Sequence, residues 1–274
     1  MPDMRPSTAT LANLLDRSAA PVALLGLVIL WEFVVDVAGI PVYVLPAPSG
    51  IWEAAIKHWQ PLAFHSWVTL LETFAGFGLS VVIGLPLAFL IVYSRFFDRA
   101  VYPLLVASQA IPKVALAPIL LVALGYGIMP KIIVGFLIAF FPVVVNTVTG
   151  LASVDRDTLN LLRSMGASKV DVFFKVRFPH AVPSMIAGFK VAIALAVVGA
   201  VVGEFVGSRT GLGYYMLLAT GNFDTPLVFA CVVVLTLMGI VLFYGVGLLE
   251  IVLARFNRTA RLASDVGTFG SFGT

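Results

Sequence analysis

Charge is the scarcest property of this sequence. Only 11% of its 274 residues are Asp, Glu, Lys or Arg, against about 25% in a soluble domain. That excludes an ordinary solvated surface. Cysteine is down to one, Cys231, inside an apolar run, which excludes a disulfide framework and a cysteine-based metal site. The three histidines, His58, His65 and His180, are scattered at the edges of apolar runs and read as incidental. No Gly-x-x-x-x-Gly-Lys-Ser/Thr loop is present, so a nucleotide would have to be handled by another subunit. Neither His-Glu-x-x-His nor Gly-x-Ser-x-Gly occurs. Gly125-Tyr-Gly127 and Gly211-Leu-Gly213 lack a βαβ context and read as turns.

What is present is length of apolar chain. Hydrophobic residues make up 60%, and the mean hydropathy is +1.05. The runs are long and do not alternate as barrel strands would, so they predict a helical membrane protein. Six segments approach the roughly 20 residues a bilayer span needs. They are 20–40, 65–92, 101–124, 129–150, 184–206 and 226–253. This divides the chain into an N-terminal tail, 1–19, a transmembrane domain, 20–254, and a C-terminal tail, 255–274. The tail 1–19 is polar, carries two Asp, and is not expected to be a cleavable signal peptide.

Orientation follows from the cations. With the N-terminus inside, the inner segments hold Arg5, Arg17, Arg95, Arg99, Arg156, Arg163, Lys169, Lys175, Arg177, Arg255, Arg258 and Arg261. The outer loops hold Lys57, Lys131 and Arg209, and Lys113 and Lys190 fall within spans. Twelve against three places both termini in the cytoplasm. The net charge of +3 reflects this sorting and does not point to nucleic acid.

Pro112 must break the third span, because it lacks a donor and clashes with the preceding turn. Lys113 beside it is either one half of a structural pair or part of a pathway. Gln109, Asn146 and Glu204 are also polar at costly depth, and with Lys113 they are the candidate pathway residues, helical packing being the alternative for each. Lys113 could neutralise one of Glu32, Asp36, Glu72 and Glu204. The ladder Ala192, Ala196, Ala200 with Gly199, Gly203 and Gly207 predicts close helix packing. Between the first two spans, Ser49 is expected to cap a short helix over 51–59, anchored at the membrane surface by Trp52 and Trp59.

One charged island interrupts the apolar chain, from Asp155 to Pro183. Leu159, Leu162 and Met165 recur at helical spacing, with Leu161 beside them. Asp155 or Asp157 is a suitable N-cap. Gly166 is the expected left-handed stop. Ser168 caps a second helix, with Asp171 completing an imperfect capping box, and Val170, Phe173 and Phe174 form its apolar face. Pro179 and Pro183 mark the turn back into the membrane. The apolar faces either rest on the protein's own spans and lipid, or dock into a groove on a soluble partner.

Gly166, nine residues, then Val176-Arg177-Phe178-Pro179 resembles the EAA loop of permease subunits of binding-protein-dependent ATP-binding-cassette importers. The Glu-Ala-Ala positions are here Asn160-Leu161-Leu162, a departure from the pattern. The resemblance extends over roughly 41–250. Gln109-Ala-Ile-Pro-Lys-Val-Ala-Leu-Ala-Pro118, Phe140-Phe-Pro-Val-Val-Val-Asn-Thr147 with Gly150, Pro183 with Gly188, and Gly203-Glu-Phe-Val-Gly207 with Gly211-Leu-Gly213 are similar to the nitrate/sulfonate/taurine branch. Val202-Gly-Glu-Phe-Val-Gly-Ser208 and the Glu72 context resemble permeases for pyrimidine or flavin precursors.

The resemblance implies an all-α, polytopic, MetI-like permease with six transmembrane helices in the bacterial inner membrane. It implies a subunit that is not itself an enzyme and has no cofactor of its own, ATP and Mg being held by a partner ATPase. The other partners would be a periplasmic or lipid-anchored solute-binding protein and a second copy of this chain. The island would be the coupling loop, about 155–179. Asn160, Leu161, Leu162, Arg163, Met165, Gly166, Ala167, Ser168 and Lys169 would meet the ATPase, and Pro179 would close the motif. The substrate would be a small organic anion or a pyrimidine- or flavin-precursor-like compound. An ATP-independent secondary transporter or channel is the rival, and it would call for pseudo-symmetric halves with matched broken helices. One Pro–Lys break and no clear repeat are visible. An intramembrane enzyme would need a catalytic dyad or metal cluster within the spans, and none is visible in the sequence.

Overall fold

The structure is a computed structural model, and it describes residues 8–256, with side chains from 22 to 249. Every regular element among the described residues is helical. In order they are α1 (Thr8–Val37), α2 (Pro48–Lys57), α3 (Trp59–Tyr93), α4 (Tyr102–Ala107), α5 (Ala117–Leu124), α6 (Ile128–Ala152), α7 (Arg156–Ser164), α8 (Lys169–Val172), α9 (Phe178–Gly207), α10 (Leu212–Gly221) and α11 (Thr225–Phe256). Four helices are long and apolar enough to cross a membrane: Trp59–Tyr93, Ile128–Ala152, Lys169–Gly207 and Thr225–Leu249. A bent pair, Phe97–Ala110 with Lys113–Leu124, makes a fifth candidate. The expected first span, 20–40, falls largely on α1, whose backbone is already helical at Thr8. The expected C-terminal tail lies outside the described residues beyond Phe256.

The chain forms two compact units. The smaller takes the residues up to Leu62 with Met216–Val233, the larger Ala63–Tyr215 with the residues from Val234 onward. In the smaller unit α2 departs from the sequence expectation. Ser49 lies inside α2, and its N-cap, Ala47, offers no side chain. Glu32 of α1 does the capping instead, accepting from the Ser49 backbone N–H at 3.0 Å and from the Ser49 hydroxyl at 2.6 Å. A carboxylate at a helix N-terminus satisfies orphan donors and opposes the dipole. Ile51 and Ala54 are buried on one face of α2 while Trp52 faces out, the amphipathic pattern expected.

The larger unit is built on an antiparallel pair, α6 with α9, against which α3 packs. A Cβ added to Gly203 would lie 2.8 Å from Lys131 Cα, and one on Gly199 would lie 3.0 Å from Gly135 N. Farther along, a Cβ on Gly188 would come 2.9 Å from Pro142 O, beside Asn146, and one on Gly150 would come 2.8 Å from Ser184 Cβ. Each step along α6 is matched by an equal step back along α9, so the small-residue ladder is a straight contact line. Ala192, Ala196 and Ala200 are buried along it, as close packing of helices requires. Ser80 ties α3 to α6 by donating to Phe136 O at 3.1 Å.

Pro112 breaks the third span as expected. Ile111 is extended, as the residue before a proline prefers. The two halves meet at 85°. Pro179, by contrast, makes no turn. The helix that starts at Lys169 continues to Gly207, 39 residues in all. A wide π-turn over Phe173–Arg177 precedes Pro179, with Phe178 N–H bonded to Phe173 O. Pro179 then falls in the first turn of α9, where its missing N–H costs little. The same device occurs at Phe97–Val101, where Tyr102 N–H bonds Phe97 O ahead of Pro103. Both segments read Phe, a cation two residues on, an aromatic residue at the fifth step, and Pro at the sixth.

Candidate functional site

The island forms from local rules. Asp155 caps α7, accepting from Thr158 N at 3.4 Å. Gly166 takes φ +81°, the left-handed stop that glycine adopts without a Cβ penalty. Around it Gly166 N bonds Arg163 O and Ala167 N bonds Leu162 O, both at 3.0 Å. Ser168 caps α8, its hydroxyl accepting from Asp171 N at 3.1 Å and donating to Asp171 Oδ2 at 2.5 Å. Asp171 also pairs with Lys175 at 2.6 Å. A helix of 39 residues is about 58 Å long, well beyond the ~30 Å of hydrocarbon, so its first turns stand outside the span. There the Lys175 ammonium and the Ser168 hydroxyl hold the Asp171 carboxyl below the usual carboxylate range.

The island's apolar residues divide. Leu159 is buried. Leu161, Met165, Val170 and Phe174 are 61%, 74%, 65% and 64% exposed. Asn160, Arg163, Ser168 and Lys169 are exposed as well, and Leu162, Ala167 and Pro179 are half-buried. A cavity of about 290 Å³ opens between Leu162, Met165, Gly166, Asp171 and Val176. The structure therefore brings most of the expected coupling residues to one short, capped, partly uncovered surface.

The four expected pathway residues do not come together. Gln109 is exposed, and Lys113 donates to its side-chain oxygen across the Pro112 break. The Lys113 ammonium also lies 5.7 Å from the Phe141 ring centroid. Asn146 packs against Gly188 and donates to Pro142 O at 2.9 Å. Glu204 is buried. It accepts from Thr69 Oγ1 at 2.7 Å and from Gly213 N at 2.5 Å.

Glu204 belongs to a cluster that sequence reasoning did not assemble. Glu72 of α3 stands beside it and forms an ion pair with Lys131 of α6. Lys131 was expected in an outer loop. It is instead in the first turns of α6, 6% exposed. The cation that pairs with Glu72 is therefore Lys131 and not Lys113, which could have neutralised one of these carboxyl groups. Lys131 also donates to Ser208 Oγ at 3.0 Å, and Ser208 accepts from Thr210 N at 3.1 Å. Thr69 Oγ1 accepts from Leu212 N at 2.8 Å. The first N–H groups of α10 are thus satisfied from α3 and α9, not from a neighbouring cap. A Cβ on Gly213 would lie 2.8 Å from Glu204 Oε2, so the glycines there make room for the carboxyl group.

His65, which looks incidental in the sequence, is tied into this cluster. Its Nδ1 accepts from Gly211 N at 3.0 Å, and its ring stacks on Tyr215 at 4.8 Å. The sequence signal for this cluster was weak: a Lys two residues inside a predicted span boundary, and partners separated by more than fifty positions. Above it lies a cavity of about 490 Å³, lined by Lys131, Glu72, Tyr126, Ser208, Arg209 and Thr210 among others.

The comparisons with known proteins agree on one family. Residues 80–254 match the family described as "Binding-protein-dependent transport system inner membrane component". The formylaminopyrimidine transport permease protein ThiX of Halalkalibacterium halodurans is 42% identical over 85% of this chain and 93% of its own length. The riboflavin transport system permease protein RibX of Chloroflexus aurantiacus is 37% identical over 86% of this chain and 89% of its own. Among solved structures, one chain of the inward-facing MetNI methionine ABC transporter superposes with a TM-score of 0.60 at 21% identity, covering 68% of this chain and 93% of that one. That likeness speaks for the fold, which is the one the sequence resemblance implied. The chain belongs to the binding-protein-dependent transport system inner membrane components, the multi-pass permease subunits of ATP-binding-cassette importers.

Proposed function

We propose that two copies of this chain line a translocation pathway driven by a separate cytoplasmic ATPase, which docks on the island 155–179. The carrying observation is the island's architecture: a helix–turn–helix stiffened by Asp155, Gly166 and Ser168, with Leu161, Met165, Val170 and Phe174 left uncovered. A transmitter of force between subunits has to be stiff inside and sticky outside, and helix-in-groove docking uses apolar anchors of this kind. ATP and Mg belong to the ATPase. A solute-binding protein delivers substrate on the opposite face, and both chain termini lie in the cytoplasm, as the Lys and Arg distribution supports.

The substrate class is a small nitrogen heterocycle of the pyrimidine or flavin-precursor kind. Two relatives at 42% and 37% identity carry such substrates in their names. Gln109 and Lys113, linked to each other at the break of a bent span, are the pathway pair. Asn146 and Glu204 hold the helices that frame it.

The test is reconstitution. The chain, its ATPase and its binding protein in liposomes are expected to take up the binding protein's ligand only with ATP. ATPase activity should rise when the loaded binding protein is added. Uptake by this chain alone, driven by a gradient, would overturn the reading in favour of a secondary transporter. A binding protein that ignores pyrimidines and flavin precursors would overturn only the substrate class.

A further inference from the structure

Two cavities of opposite chemistry adjoin where α3 ends and the island begins. The first, about 250 Å³, is lined by Arg163, Lys169 and Arg177 with Tyr93, Val92 and Val172, and no carboxylate is among its lining residues. The ion pairs among the described residues are Lys131–Glu72 and Lys175–Asp171, so none of the three cations is neutralised. Arg177 lies 5.4 Å from the Tyr93 ring centroid, which orients it without cancelling its charge. Asp171, the nearest acid along α8, is engaged with Lys175 and Ser168. Three like charges around one cavity repel one another until an anion sits among them.

The second cavity, about 350 Å³, is lined by Phe89, Val170, Phe173 and Phe174, together with Tyr93 and Lys169, which it shares with the first. Its frame is aromatic. The Phe173 ring meets Phe89 at 5.4 Å, Tyr93 at 5.7 Å and Phe174 at 4.8 Å. Val170 and Phe174 leave most of their surface uncovered.

A cationic socket fused to an apolar trough matches a molecule with an anionic head and a hydrocarbon tail. We propose that this junction is a binding site for an anionic phospholipid, with the phosphate among Arg163, Lys169 and Arg177 and an acyl chain along the Phe89–Phe173–Phe174 trough. Its position fits, since the membrane-spanning α3 ends at Tyr93, a lining residue of both cavities, which puts the junction at the membrane boundary. Tyrosine favours that depth, and basic pockets beside spans bind lipid headgroups there. A free phosphate would fill the socket and leave the trough bare. A carboxylate of a partner protein would do the same.

Arg163, Lys169, Val170 and Phe174 also lie on the surface proposed for the ATPase, so the readout must be lipid and not transport. The purified full chain, in micelles of neutral detergent, is titrated with phosphatidylglycerol or phosphatidylcholine, and retained lipid is counted by native mass spectrometry. One phosphatidylglycerol per chain is expected, held at least tenfold more tightly than phosphatidylcholine. Arg177→Gln is expected to weaken it roughly fivefold, the effect of one interfacial cation, and Arg177→Lys to restore most of that. Arg156→Gln removes an equal charge from an exposed position outside the socket and is expected to stay within twofold of wild type. Phe174→Ser, at an exposed position, is expected to weaken long-chain but not short-chain phosphatidylglycerol. It keeps the test alive if Arg177→Gln fails to fold, as judged by gel filtration. Equal retention of phosphatidylcholine, or equal losses from Arg156→Gln and Arg177→Gln, would overturn the site. So would displacement of the lipid by an equal concentration of inorganic phosphate, or by stoichiometric partner ATPase. The first of those would assign the socket to a soluble anion, the second to the partner's carboxylates.

Discussion

The Glu72–Lys131–Glu204 cluster and the 155–177 island use the same chemistry to opposite ends. Each contains carboxylates, cations and helix caps. In the cluster the charged groups turn inward, with Lys131 against Glu72 and Ser208, and Glu204 against Thr69 and Gly213 N. In the island the caps are closed, but Leu161, Met165, Val170 and Phe174 are uncovered and Arg163 and Lys169 have no ion pair. A polar group inside a membrane protein must be satisfied within the protein. A polar segment outside it is free to leave surface for partners. The difference teaches that the cluster spends its polar groups inside the fold, while the island closes its caps and leaves surface uncovered.

Four substitutions would break or sharpen that contrast, ranked by their effect on folding stability. Lys131→Met leaves Glu72 buried without its cation. We expect a loss of about 3–5 kcal/mol, read as a lower melting temperature of the purified chain, with much of it recovered in Lys131→Met/Glu72→Gln. An unchanged melting temperature would mean that the pair is not structural. Gly199→Val is next. Its Cβ would lie 3.0 Å from Gly135 N, and overpacking of this kind costs roughly 1–3 kcal/mol. The same melting assay reads it, and a wild-type value would deny the α6–α9 contact line.

The third is Gly166→Ala. The left-handed conformation of Gly166 costs an L-residue about 1–2 kcal/mol. That strain is confined to the island, so ATP-driven uptake is expected to fall much further than the melting temperature does. Uptake at the wild-type rate, with normal ATPase assembly, would remove the docking assignment. The smallest effect on stability belongs to Leu161→Ser. At a surface position it should stay within about 0.5 kcal/mol, yet reduce co-purification of the ATPase severalfold. If it lowered the melting temperature as Gly199→Val does, the island would be a packing element and the contrast would collapse.

Much of the island was legible because its determinants are local. Asp155 and Thr158, Gly166 with Arg163, Ala167 with Leu162, and Ser168 with Asp171 all act within five residues. The small-residue ladder and the Pro112 break were legible for the same reason. The cluster was not. Lys131 and Glu72, His65 and Gly211, and Thr69 and Glu204 are brought together only by the packing of α3, α6 and α9. Glu32 capping α2 across seventeen residues was missed because Ser49 offered a plausible local cap. Pro179 was misread as a turn because a π-turn upstream lets the helix continue, and no propensity rule announces one.

The sequence by itself determined the apolar environment, the break at Pro112, the stop at Gly166 and the family. Burial in lipid demands long apolar helices, and caps are written within a few residues of where they act. Only the tertiary structure decided which buried charges neutralise one another, which helix ends borrow their caps, and which apolar side chains stay uncovered. Those depend on the antiparallel register of α6 and α9 and on the fit of α3 against them. That register is set by many small contacts at once, and no single stretch of sequence contains it.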